Sequence, residues 1–304
     1  MNLSVKSELF LKIYRYFCIL IFGLIALGGA VRAMNAGLSC PDWPLCFGQI
    51  IPDYHPQVYF EFIHRVIAGL VSIAALFLNF KIIRSREVAR STKIIAGAGL
   101  ALLLGQVVMG GLTVLLQLHD KVVAGHLAMG TGFFALSLWV YLTLASLPSG
   151  VSASHLTSAA SGVNMGRRPT ILILVAVYLQ ILLGGLVASN YAALVCTEWP
   201  LCHGEFIPTL SGIIGLHVIH RLGAYTLAAI LTACAIYIFK KVESEELKKW
   251  ARAVLILVFV QIGIGISNVL LLTPPLITVL HLATGVSLLA VAVRMVRLST
   301  ATSH

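Results

Sequence analysis

The chain is 304 residues long, 59% hydrophobic and 11% charged, a composition that excludes a water-soluble globular fold. Its formal net charge of +10 suggests a polyanionic partner at first sight, but the cations cluster between apolar stretches on one side. That pattern is the positive-inside rule, so the charge reports membrane topology and not a nucleic-acid partner.

Eight apolar stretches, at 12–34, 58–83, 94–116, 122–147, 170–190, 212–239, 250–272 and 276–297, are each long enough to cross a hydrocarbon core of about 30 Å as a helix. The first has the basic flank of a signal peptide, but its repeat in mid-chain identifies it as a span. It ends in Gly28-Gly29 and runs into a loop with Cys40, Trp43-Pro44-Leu45-Cys46 and Gly48. The second span opens on Glu61, Ile63-His64-Arg65, the third carries Gly105, Gln106, Gly110 and Gly111, and the fourth carries His126. A Ser-, Gly- and Ala-rich connection at 148–169 reads as a flexible linker. The passage then repeats 156 residues on: Gly184-Gly185, Cys196, Trp199-Pro200-Leu201-Cys202, Gly204 and Ile219-His220-Arg221. At a spacing of 155, Gln106 returns as Gln261 and His126-Leu127-Ala128 as His281-Leu282-Ala283.

A repeat of this kind fixes the architecture. The expected fold is an all-α integral membrane protein of eight transmembrane helices, built as two tandem four-helix bundles related by a pseudo-twofold axis along the membrane normal. The units are residues 1–147, a cytoplasmic linker at 148–169, and residues 170–304. Lys81, Arg84, Arg86, Arg90, Lys93, Arg167, Arg168, Lys240, Lys241, Lys248, Lys249 and Arg252 place the linker side and both termini in the cytoplasm, with the cysteine loops outside. No soluble catalytic domain fits, so any chemistry lies in the bundle or at its outer rim.

Cys40 with Cys46, and Cys196 with Cys202, suit small disulfide rings in an oxidising compartment. Loop staples, a redox-active pair and a four-cysteine metal site are the readings, the last weakened by spacing unlike a zinc knuckle. Trp43 and Trp199 read as interfacial anchors, and Cys18 and Cys234 as small apolar fillers.

His64, His126, His220 and His281 stand near the outer ends of the even-numbered helices. Ionisable groups inside a membrane are costly, and four in register point to ligation. Two imidazoles facing each other without acidic or thiolate partners suit heme iron better than zinc or a carboxylate-rich di-iron site. The glycines around them are consistent with a flat bulky ligand or with close helix packing. Arg65 and Arg221 either pair with heme propionates or snorkel to the headgroups. Gln106 and Gln261 either orient a ligand or hydrogen-bond between helices. The copies disagree three residues before the histidine, where Glu61 faces His217 across the repeat. Glu61, one turn from His64, is a proton acceptor or charge stabiliser, or else an interfacial helix-start carboxylate. His217 has no assigned role. His55 and His203 read as exposed loop residues.

Taken together, Glu61-Phe62-Ile63-His64-Arg65, His220-Arg221, His126, His281 and the paired cysteines resemble the heme A synthase family over nearly the whole chain. The resemblance implies oxidation of a heme O methyl to a formyl group, giving heme A for terminal cytochrome oxidase. It implies that His64 and His126 hold the substrate heme in a catalytic N-terminal half, with Glu61 needed for the reaction. His220 and His281 would be the axial ligands of a permanent heme b, and Cys40-Cys46 a functionally important pair. Membrane lipid and a heme O synthase delivering substrate are the expected partners, with homo-oligomer formation open. A bacterial or archaeal plasma membrane is the expected location. Iron with two histidine ligands has no open site for oxygen, so either a ligand leaves or water attacks after electron removal. The rival readings are a diheme b-type electron carrier, which needs no Glu61, and a quinone-linked thiol oxidoreductase centred on the cysteines.

Overall fold

A computed structural model describes residues 4–5, 7–146 and 166–301; the linker expected at 148–169 lies mostly outside the described residues. Eight helices account for nearly all of it: α1 Glu8–Ala33, α2 Pro56–Arg84, α3 Arg90–Leu115, α4 Asp120–Ala145, α5 Arg167–Ser189, α6 Gly212–Lys241, α7 Glu245–Leu270 and α8 Pro275–Ala301. All eight are long and apolar enough to cross a membrane, and each overlaps the stretch expected from hydropathy. Seven begin one to five residues earlier than the expected stretch, and five of the eight end one or two residues short of it. Ser7 and Ser244 cap α1 and α7, each hydroxyl accepting a backbone N–H three residues on, and Glu8, Glu245 and Glu246 face the positive helix ends. Pro56 and Pro275 open α2 and α8, where a missing N–H costs nothing.

The contacts of the first four helices recur among the second four. α1 packs on α2, α2 on α3 and α3 on α4; α5 packs on α6, α6 on α7 and α7 on α8. Helices α1, α4, α5 and α8 also touch one another across the halves, so they form the centre and the other four flank it. The apolar windows of α4 and α8 are each 39% buried, and that of α7 is 11% buried. Two reciprocal contacts lock the centre. Gly29 on α1 lies beneath Leu282 of α8, and its repeat-mate Gly185 on α5 lies beneath Leu127 of α4. A Cβ on either glycine would come within 2.6 or 2.8 Å of the facing leucine methyl, so a larger residue there would have to displace that leucine.

The loops between α1 and α2 and between α5 and α6 lie at one end of the bundle, as do the short α3–α4 and α7–α8 turns. This cysteine-loop end carries the candidate site. Both cysteine pairs are disulfides, with Cα separations of 4.7 and 4.9 Å, and both loops share a cis Trp–Pro bond. Within them Cys46 pairs with Gln49, and Cys202 with Glu205, through two backbone hydrogen bonds each.

Candidate functional site

The four helix histidines sit at matched depths. His64 and His220 are eight residues into α2 and α6, and His126 and His281 are six residues into α4 and α8. At 1.5 Å per residue that places them about 9–12 Å inside the helix starts. Each imidazole rests edge-on against a glycine of the preceding odd-numbered helix: His64 on Gly28, His126 on Gly110, His220 on Gly184 and His281 on Gly265. A Cβ at those glycines would lie 2.9–3.1 Å from the ring Cε1, so any side chain there would push the imidazole out of place. The glycines therefore seat the histidines themselves. Of the other glycines noted in the sequence, Gly111 lies under the Trp43 ring, Gly105 faces Met129, and Gly263 has nothing near its Cβ direction.

His64 and His126 belong to the first four helices and His220 and His281 to the second four, which gives each half one pair at the same end of the bundle. Among the described residues no third His, Cys, Asp or Glu joins either pair to make a larger metal-binding cluster. The Nδ1 atoms of His64, His126 and His281 are buried without a hydrogen-bond partner. Buried polar atoms are normally satisfied, so three imidazoles with an unsatisfied nitrogen are side chains that the protein alone does not account for. Two imidazole donors in each half would suit an iron porphyrin, which supplies the remaining ligands itself. They fall short of the four ligands of a structural zinc site.

Amides accompany the rings. Gln106 and Gln261 bring Nε2 to 3.4 Å from the Nε2 of His126 and His281, a weak contact at the edge of hydrogen bonding. Gln180 on α5 brings Nε2 to 3.1 Å from His220 Nδ1 and donates to the His220 carbonyl at 2.8 Å. Repeat-matching passes over Gln180, because the equivalent residue of the first copy is Leu24. The signal that could have found it is an amide in an otherwise apolar span.

Glu61 is 4% exposed. One oxygen pairs with Arg65 and the other accepts the Cys40 N–H at 2.9 Å. Arg65 in turn donates to the carbonyls of Cys40, Asp42 and Leu45 at 2.7–3.0 Å, so the guanidinium fastens the disulfide loop to α2. The second half builds the same fastening differently. Arg221 donates to the carbonyls of Cys196, Glu198 and Leu201, and through Nε to His217 Nε2 at 2.9 Å. The other ring nitrogen of His217 lies 2.7 Å from the Ala192 carbonyl. His217, unplaced by sequence, is thus a strut with both nitrogens committed. These bonds leave one N–H of each guanidinium for any further partner.

Asp42 accepts the backbone N–H groups of Phe47 and Gly48 at 2.7 Å, and these donors, Gly48 first, hold its carboxyl below the usual carboxylate range. Glu198 accepts the Gly204 N–H in the matching loop. Trp43 and Trp199 are both half-exposed; Trp43 covers Gly111, whereas Trp199 donates to Tyr225 Oη at 2.9 Å. His55 and His203 are exposed, and Cys18 and Cys234 are buried free thiols.

Residues 13–293 match the model of a family described as cytochrome oxidase assembly protein. The chain is 30% identical over 299 residues to the heme A synthase of Shewanella oneidensis, covering 85% of this chain and 87% of that one. It is 30% identical over 248 residues to the heme A synthase of Halalkalibacterium halodurans, covering 80% and 81%. With the heme A synthase of Rickettsia canadensis it shares 26% identity over 334 residues, covering 95% and 97%.

Proposed function

Because the chain belongs to the cytochrome oxidase assembly protein family, we propose that it oxidises a methyl group of heme O to the formyl group of heme A. The observation that carries this reading is the unequal pair at positions 61 and 217, set on otherwise matching two-histidine sites. Residues 1–147 form the substrate half, in which His64 and His126 hold heme O. Residues 170–304 form the supporting half, in which His220 and His281 hold heme b. An iron porphyrin, when bound, supplies the redox chemistry; the protein binds it, orients it and manages protons.

In the substrate half, Glu61 lies one helical turn from His64 and toward the cysteine-loop end. Paired with Arg65, it is placed to take a proton released as the methyl is oxidised. Arg65 fixes its position and ties it to the Cys40–Cys46 loop, which roofs the site. The remaining N–H of Arg65 and of Arg221 is available to a propionate. His217 holds the matching loop without offering a free acceptor, which suits a half that only retains its porphyrin.

Basic residues flank the helix ends opposite the cysteine loops, which supports a topology with those ends and both termini in the cytoplasm and the disulfides outside. Substrate would pass from a heme O synthase in the same membrane, with lipid and a second copy of the chain as the other neighbours. The test is expression in a host that makes heme O but no heme A, followed by acid-solvent extraction and chromatography. Heme A, or a singly hydroxylated heme O, is the expected product. Bound heme with neither product would identify an electron carrier instead.

A further inference from the structure

An amide seated over a glycine occurs three times beside the imidazoles. Gln106 lies over Gly130, Gln261 over Gly285 and Gln180 over Gly223, and a Cβ at those glycines would meet the amide at 3.0, 3.3 and 2.5 Å. The first two are repeat-mates and serve His126 and His281. The third stands alone. At the equivalent positions of the first half the sequence has Leu24 and Ile67, both packed against the apolar core. The first half therefore has neither the amide nor the space for one, and His64 Nδ1 is buried without a partner.

The contact also differs in kind. Gln106 and Gln261 touch the Nε2 atoms of their histidines. Gln180 touches Nδ1 of His220, the nitrogen that stays free when Nε2 binds a metal. A ligating imidazole carries its proton on that other nitrogen. The group accepting it fixes the ring's orientation and raises its basicity, and removal typically costs tenfold to a hundredfold in metal affinity. The amide nitrogen faces both His220 Nδ1 and the His220 carbonyl here; to accept an Nδ1–H, the amide turns its oxygen to the ring and gives up its bond to the carbonyl.

We propose that Gln180, given room by Gly223, is a positioning residue that makes His220 the tight ligand of a resident porphyrin iron, whereas Leu24 and Ile67 leave His64 unheld so that the first half exchanges its porphyrin. This rests on the reading of the four histidines as porphyrin ligands. It assigns the difference between a retained and an exchanged porphyrin to two positions behind the ring, apart from Glu61.

The experiment uses the purified full-length protein in detergent, with heme transfer to apomyoglobin and redox titration as readouts. Gln180→Leu should release the second-half heme tenfold to a hundredfold faster and raise its midpoint potential, because the imidazole becomes a weaker donor. Gln180→Glu should restore retention and lower the potential below that of the wild type. The double variant Leu24→Gln/Ile67→Gly should slow release from the first half by about tenfold. Gln180→Leu protein with unchanged potential and release rate would overturn the proposal, reducing Gln180 to an α5–α6 tie through the His220 carbonyl. Heme content untouched by His220→Ala would instead overturn the underlying ligand reading.

Discussion

The two halves fasten their cysteine loops with the same arginine but brace that arginine with different residues. In the first half the brace is a buried carboxylate, Glu61; in the second it is the imidazole His217. The second half demonstrates that the loop can be held without a carboxylate, so fastening alone does not require the charge at position 61. A buried ion pair is weak grounds for stability, because desolvation offsets much of the attraction. The carboxylate is better explained by what it does beside His64.

The strongest way to break this comparison is to remove the charge and keep the shape. Glu61→Gln should retain heme in both halves while product formation falls by about a hundredfold to ten-thousandfold, the range of a lost general base. Product yield and heme content per protein, measured on the same preparation, separate this from an electron carrier, which would keep full function. The reciprocal change, His217→Glu, should leave product yield within about twofold, since the second half has no chemistry for the carboxylate to serve.

Glycine seats sharpen the comparison half by half. Gly184→Ala puts a methyl 3.1 Å from His220 Cε1, and overpacking of this kind costs about 1–3 kcal/mol. It should deplete the second-half heme and spare the first, with Gly28→Ala doing the reverse; heme extraction reads both. Smaller still is the loop staple. Replacing Cys196 and Cys202 with serine should cost about 2 kcal/mol by loop-closure arithmetic, with heme b retained. A thermal shift measures it, and total loss of activity with heme b retained would return the cysteines to the centre of the mechanism.

The smallest effect is acid sensitivity at Asp42. Its carboxyl is held below the usual range by the Gly48 and Phe47 N–H groups. The loop contribution is then present above the unfolded value of about 4 and is lost as pH falls through the lower folded value. Asp42→Asn should flatten the acid limb of loop protection in hydrogen exchange.

Much of the molecule was legible in the sequence because the repeat made it so. Hydropathy located all eight helices, and the histidines and cysteine pairs stood out as residues kept in register across copies. The unreadable parts lie where a contact depends on which helix faces share a packing plane. Gln180 has no repeat-mate, so only the approach of α5 to α6 reveals its contact with His220 Nδ1. His217 looked like an anomaly until Arg221 and the Ala192 carbonyl were seen at its two nitrogens. The glycines could be counted but not assigned; that Gly28 and Gly184 seat imidazoles while Gly29 and Gly185 seat leucines of the other half requires the crossing geometry.

The division of labour between the halves is tested most directly by the hemes bound to two alanine variants purified from a host that makes heme O. His64→Ala should keep heme b and lose heme O and its oxidised products, whereas His220→Ala should lose heme b. Identical heme composition in the two variants would contradict it.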